Sequence, residues 1–88
     1  MLTIWEMALN PDRPTELILP DGASILGVFC DKGIKLSTLV DPAKPTTERV
    51  FINFSAGEKF DSDGDLFFAG MVDIPMNLGR VYVFEVLK

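Results

Sequence analysis

The stretch EKFDSDGDLFFAG, residues 58–70, holds the side chains of this sequence that are best suited to binding a metal ion. Carboxylates are good calcium ligands, and an EF-hand loop places oxygen ligands at positions 1, 3 and 5, glycine at 6 and glutamate at 12. Counted from Asp61, position 6 is Leu66 and position 12 is Val72. The stretch therefore does not encode an EF-hand.

Three other interpretations of this acidic stretch remain. Asp61, Asp63 and Asp65 could form a weaker calcium site together with backbone carbonyls. Alternatively, Asp and Gly at a loop tip satisfy a turn and protect the edge of the following apolar strand, which is the interpretation we favour. The third is partner recognition, and its candidate residues, together with Trp5, are Glu58, Asp61, Asp63, Asp65, Phe67 and Met71.

Catalytic chemistry finds little support in the residue types. The chain contains no histidine, which removes the commonest general base and the Ser-His-Asp and Cys-His arrangements. Its one cysteine, Cys30, follows Val28 and Phe29 in a predicted strand, where a thiol is usually a small core residue. We therefore expect a protein that is not an enzyme and that has no cofactor and no metal site.

Composition and charge narrow the classes of partner. The 88 residues are 48% hydrophobic, enough for one folded domain, and no apolar run is long enough to span a membrane. The net charge of −5, with scattered basic residues, argues against direct binding to nucleic acid. The single cysteine and the absence of a recognisable signal peptide predict a cytoplasmic protein.

Regularly spaced turn residues predict an all-β fold. Pro, Gly, Asp and Asn cluster between short segments rich in Val, Ile, Leu, Phe and Thr, a pattern typical of a small sandwich or barrel of about seven antiparallel strands. Asp31-Lys32-Gly33 predicts a tight hairpin. Residues 41–48 predict a loop that crosses between sheets, with a stiff recognition loop as the alternative. The predicted strands span residues 2–9, 15–19, 24–31, 34–41, 48–55, 65–74 and 80–87.

Several of these strands are apolar on both faces. Strict alternation in the sixth strand places Phe67 and Met71 on the face opposite Phe68 and Val72. Either loops lie across the second face or that face binds another subunit or a partner, and we expect a homo-oligomer. Trp5 is expected in the core, with an interface anchor as the alternative.

The order of these segments resembles a family of short, uncharacterised phage and prophage proteins. The similarity is carried by Ile4-Trp5, the segment at 17–26, Leu39-Val-Asp-Pro42, Arg49-Val-Phe51, Ser55-Ala-Gly57, Phe68-Ala-Gly70 and the closing Val81-Tyr-Val-Phe-Glu-Val86. Members carry Gly-Thr-Gly at the position of Ser55-Ala-Gly57, and often a histidine at the position of Glu85. The resemblance implies a viral or mobile-element origin and action inside a bacterial cell, and it brings no catalytic residue with it.

Three functional hypotheses follow from the sequence. The first is an interaction protein that blocks or redirects a host factor, such as a defence component, through apolar strand surface and the acidic loop. The second is a minor virion or assembly protein that packs against copies of itself. The third is an oligomeric sponge that traps a small, nucleotide-like signalling molecule between subunits.

Overall fold

The computed structural model describes residues 1–61 and 64–87, and the chain folds into seven strands. Each strand lies within two residues of its predicted bounds, because the turn residues punctuate the chain at the positions where it reverses. The strands are β1 (Thr3–Ala8), β2 (Thr15–Pro20), β3 (Ser24–Cys30), β4 (Ile34–Val40), β5 (Thr46–Ser55), β6 (Asp65–Ile74) and β7 (Gly79–Leu87).

The strands form two antiparallel sheets, as expected for a small sandwich. One sheet has the order β1-β4-β3 and the other the order β2-β5-β7-β6. The predicted hairpin joins β3 to β4, with Lys32 and Gly33 at positive φ. The segment after β4 carries the chain from the three-stranded to the four-stranded sheet, which confirms the prediction of a crossing loop. Residues 1–61 and 64–87 contain no helix that could span a membrane.

The core lies between the inner faces of the two sheets. In β4 the alternation is regular, and Ile34, Leu36, Thr38 and Val40 are buried while the intervening residues are partly exposed. Phe51 and Val83 bring the four-stranded sheet onto them and are fully buried. The other buried members of the hydrophobic cluster are Leu9, Leu17, Leu19 and Ala23.

A partly buried ion pair joins two strands on the inner face of the four-stranded sheet. The Arg49 guanidinium on β5 donates two hydrogen bonds of 2.7 Å to the two carboxylate oxygens of Glu85 on β7. The remaining guanidinium nitrogen of Arg49, Nη1, donates to the carbonyl of Ala23 at 2.6 Å. The hydrogen bond to Glu85 raises the pKa of Arg49, while burial acts in the opposite direction. The pair ties two strands of one sheet to the turn that leads into the other sheet.

Two β-bulges change which residues share a face. The register of β3 on β4 shifts between Ile25 and Gly27, and that of β6 on β7 shifts between Phe68 and Gly70. An extra residue in one strand reverses the side-chain alternation beyond it. The expectation of strict alternation is therefore wrong in β6, and β3 departs from alternation in the same way.

The bulges lie where the two sheets come closest at their edges. A Cβ atom on Gly70 of β6 would stand 2.9 Å from Cγ2 and 3.3 Å from the backbone nitrogen of Val28 on β3. Gly70 also has a φ of +154°, which side-chain-bearing residues rarely adopt. Glycine at this position therefore permits the close approach of β3 and β6.

Candidate binding surface

The outer face of the four-stranded sheet is the most extensive apolar surface that the strand registers define. Cross-strand partners in an antiparallel sheet project to the same side, so the pairs Ile52↔Phe84 and Phe68↔Phe84 place three aromatic or aliphatic side chains in one row. The face opposite the core, hereafter the outer face, carries Ile18, Val50, Ile52, Phe54, Leu66, Phe68, Met71, Tyr82, Phe84 and Val86.

Aromatic rings occupy the centre of this outer face. The rings of Phe68 and Phe84 meet edge to face with centroids 5.7 Å apart, and those of Phe54 and Phe84 are tilted at 6.1 Å. Phe60, from the loop between β5 and β6, stacks on Phe54 with a centroid distance of 3.4 Å. The edge-to-face contact between Phe68 and Phe84 stabilises the cluster beyond simple burial. The rings of the cluster thus pack against one another within the chain.

Much of the outer face is exposed despite its apolar character. Phe68 is 60% exposed, Ile18 55%, Met71 51% and Phe60 46%. Single exposed apolar residues are ordinary, but a contiguous apolar patch on a small domain is typical of interaction sites. The rim of this patch is charged, with Glu16 and Glu48 at one side and the Asp73–Arg80 pair at the other.

The structure separates Phe67 from Met71, which the sequence had placed on one face. Phe67 lies opposite Glu85, whose side chain is on the inner face, while Met71 lies opposite Tyr82 on the outer face. The physical reason is the bulge at Ala69, which inserts one residue between them. Met71 thus belongs to the outer face, and Phe67 projects from the other side of β6 with 59% exposure.

The other candidate residues that the structure describes are not members of the outer face. Trp5 is half-buried, packs against the core from β1, and its carbonyl accepts a hydrogen bond from Thr38 Oγ1 at 3.1 Å. Glu58 closes the turn after β5, where its carboxylate accepts the Ser55 N–H at 2.9 Å. Asp61 and Asp65 are exposed, and Asp63 lies outside the described residues.

Phe54, Phe60, Phe68 and Phe84 were not among the sequence candidates, although they form the centre of the patch. A signal was present in the sequence, because Ile52 and Phe54 occupy alternate positions of β5 and therefore share one face. The same holds for Tyr82, Phe84 and Val86 in β7. The missing information was strand order. Only the adjacency of β5, β7 and β6 brings the three stripes together.

The site has the properties of a contact surface. Residues 1–61 and 64–87 contain no group of three or more Cys, Asp or Glu side chains placed to hold a metal ion. The outer face instead offers apolar side chains of fixed geometry, which bind by excluding water. Comparisons with protein-family models, with curated proteins and with solved structures gave no match.

Proposed function

We propose that this protein is a non-catalytic binding protein that engages another protein through the outer face of its four-stranded sheet. The observation that carries the proposal is the ordered, contiguous and exposed aromatic and aliphatic patch around Phe68 and Phe84. Fully burying one such side chain contributes about 1.5–3 kcal/mol. Desolvation of several of them together supplies the driving force that a specific interface needs.

The accessible surface supports a partner of standard interface size. The chain exposes 6031 Å², whereas a monomer of this mass exposes about 5,100 Å² by the usual scaling. The excess is similar to the roughly 800 Å² that each partner buries in a typical stable complex. The flat shape, 39 × 31 × 16 Å along the principal axes, accounts for the excess and presents a broad face.

We further propose that this partner is a protein of a bacterial host whose action the chain blocks or redirects. The similarity of its turns and core strands to short phage and prophage proteins supports this assignment. The acidic rim at Glu16 and Glu48 suits a partner with basic residues around an apolar centre. Action in the bacterial cytoplasm belongs to the same proposal.

A second copy of the chain is the other candidate occupant of the outer face. A two-fold axis parallel to the face would set the same apolar patch of two subunits against each other, and interfaces of this kind are the commonest in homo-oligomers. The excess of accessible surface favours this alternative as much as it favours a host protein. Such a dimer would suit a structural or assembly role.

The decisive experiment compares two substitutions on neighbouring residues of β6. Phe68→Gln removes an apolar ring from the outer face, while Phe67→Gln removes an equally exposed ring from the opposite side. Tagged variants are used to capture partners from a bacterial lysate, and native mass spectrometry of each purified protein gives its subunit number. Glutamine is chosen because a carboxylate at position 67 would face Glu85.

We expect one protein to be captured in stoichiometric amount by the unmodified chain and by Phe67→Gln, but not by Phe68→Gln. A dimer that dissociates only with Phe68→Gln would instead assign the outer face to self-association. Capture and subunit number that are unaffected by both Phe68→Gln and Met71→Gln would overturn the proposal, because the patch would then take no part in binding.

A further inference from the structure

A second surface lies at one end of the sandwich and adjoins the outer face, with which it shares Ile52 and Phe54. A cleft of about 700 Å³ opens between the two sheets there. Its walls are the β1–β2 loop at 11–14 and the end of β5, and its floor includes Ile34, Ile74 and Val81. Cavities that bind small ligands and peptides have volumes in this range and a largely apolar lining.

The end of β5 forms one wall of the cleft with an unpaired edge. β2 pairs with β5 only as far as Thr15↔Phe51, whereas β7 continues along β5 to Ser55↔Val81. Over Ile52–Ser55, β5 therefore has a strand neighbour on one side only. An unpaired strand edge presents N–H and C=O groups in the spacing that an added strand requires.

Asn53 is the residue that directs its backbone into the cleft. Successive residues of a strand turn their N–H and C=O groups to opposite sides. Ser55 uses both groups on the side away from β7, since its N–H donates to Glu58 Oε1 at 2.9 Å and its carbonyl accepts from Glu58 N at 3.1 Å. The same side is therefore faced by the N–H and C=O of Asn53, two residues earlier.

The opposite wall is held open rather than paired. Pro11 and Pro14 have no N–H to donate, so the segment before β2 cannot continue the ladder as a full partner. The Asn53 side chain donates to the carbonyl of Asn10 at 2.7 Å, and Asn10 N donates to Thr15 Oγ1 at 2.7 Å. These bonds hold the loop at a fixed place beside β5.

Charge at the mouth of the cleft favours a basic ligand. Asp12 and Glu58 contribute two carboxylates and Arg13 one guanidinium, on a chain of net charge −5. Neighbouring residues of an extended peptide project to opposite sides, so one can enter the apolar floor while the next meets the acidic mouth.

We propose that this cleft binds a short extended peptide segment that adds to the Asn53 edge of β5, with an apolar side chain next to a Lys or Arg. The peptide residue opposite Asn53 exchanges two backbone hydrogen bonds with it, which is the β-augmentation mode of recognition. Displacement of Glu58 from Ser55 extends the ladder by one further pair. The lining of this cleft does not include Phe68, Met71 or Phe84 of the neighbouring outer face.

The first test uses the free protein and amide hydrogen exchange. The backbone amide of Asn53 is expected to exchange rapidly, while the backbone amides of Ile52 and Phe54, which point to β7, are protected. A protected Asn53 amide would overturn the proposal, because the edge would already be satisfied within the chain.

The second test uses a displayed library of linear random peptides, selected on the full chain and counter-selected on a double variant, Asp12→Asn with Glu58→Gln. The best peptide is then synthesised with and without N-methylation at alternate backbone positions. The unmodified peptide should slow exchange at Asn53, and N-methylation on the bonding edge should weaken binding by at least about tenfold, while the side chains are unchanged.

Matched variants complete the test. The Asp12→Asn and Glu58→Gln double variant should weaken binding about three- to tenfold, because both carboxylates at the mouth are lost. The glutamine in Glu58→Gln retains an acceptor for the Ser55 N–H, so the turn itself is kept. The control variants Asp73→Asn and Phe68→Gln should have no effect on binding. Failure to enrich any peptide that depends on the acidic mouth, or equal affinity for the N-methylated form, would refute strand addition at this site. Loss of outer-face binding alone would leave it standing.

Discussion

The inner and outer sides of the four-stranded sheet are built from the same strands, yet they differ in solvent exposure. Phe51 and Val83 on the inner side are fully buried by the three-stranded sheet. On the outer side Phe68 and Met71 are more than half exposed, although they are equally apolar. The inner residues explain the fold, whereas exposed outer residues such as Phe68 and Met71 contribute less to it. The association proposed above would account for their apolar character.

The ion pairs on the two sides differ in the same way. Arg49 and Glu85 on the inner side have side chains only 20% and 12% exposed and meet in two parallel hydrogen bonds. Asp73 and Arg80 on the outer side are joined by one bond of 2.7 Å and are largely in solvent. Desolvation makes the inner pair costly to break, and solvent screening makes the outer pair weak.

The largest expected effect on stability comes from replacing phenylalanine by alanine on the inner side, compared with the same substitution on the outer side. Phe51→Ala removes a fully buried ring and should lower the free energy of unfolding by about 3–5 kcal/mol. Phe68→Ala should cost less than about 1 kcal/mol, because the ring is already 60% exposed. Urea unfolding measures both. Similar losses for the two variants would show that the outer face is part of the core.

Breaking the inner ion pair should have the next largest effect. Glu85→Gln leaves the half-buried Arg49 without a counter-charge, and we expect a loss of about 2 kcal/mol in the free energy of unfolding. The double variant Arg49→Met with Glu85→Gln should recover part of it, since no unpaired charge remains. Additive losses in this double-mutant cycle would contradict direct coupling of the two side chains.

The close approach of β6 to β3 at the bulge can be tested by substituting Gly70, the residue after the extra residue Ala69. Gly70→Ala combines a strained φ with a contact at 2.9 Å, and should destabilise by about 1–3 kcal/mol. Gly27→Ala has a similar φ of +156° but meets nothing within 4 Å, so it reports backbone strain alone. A larger loss of melting temperature for Gly70→Ala is expected. Equal losses would mean that the approach of β6 to β3 does not constrain position 70.

The smallest effect concerns pH and the outer pair. The Arg80 guanidinium lowers the pKa of Asp73 through a hydrogen bond and its charge. A lowered pKa gives stability that is present above the unfolded value of about 4 and is lost as pH falls through the folded value. The melting temperatures of the unmodified chain and Arg80→Gln should thus differ slightly at neutral pH and converge in acid. A difference that grows in acid would contradict this sign, and Lys44→Gln serves as the control.

The elements of this fold were predictable because turn chemistry is local. Asp31-Lys32-Gly33 specifies a hairpin through residues that tolerate positive φ, and the regular alternation in β4 identifies its buried face directly. The proline-bearing segment after β4 was likewise predicted to cross between sheets.

The surface was less predictable because it depends on pairing between distant strands. Nothing in the local pattern of β6 marks Ala69 as the extra residue, and its position decides on which side Met71 lies. A cationic partner for Glu85 could have been inferred from the sequence. Glu85 lies two residues from buried Val83, on the same face of β7, and a buried carboxylate requires a cation. That this cation is Arg49 is fixed only by the register of β5 on β7.

The strand order has a consequence for how the chain acquires its structure during synthesis. β2 precedes β3 and β4 along the chain but pairs only with β5, and β5 also pairs with β7, which follows it by two strands. The β3–β4 hairpin can form as soon as β4 has been made, whereas the four-stranded sheet must wait for β7. Until then the apolar stripes of β2 and β5 are exposed to other chains, so this small protein is most prone to aggregate as a nascent polypeptide.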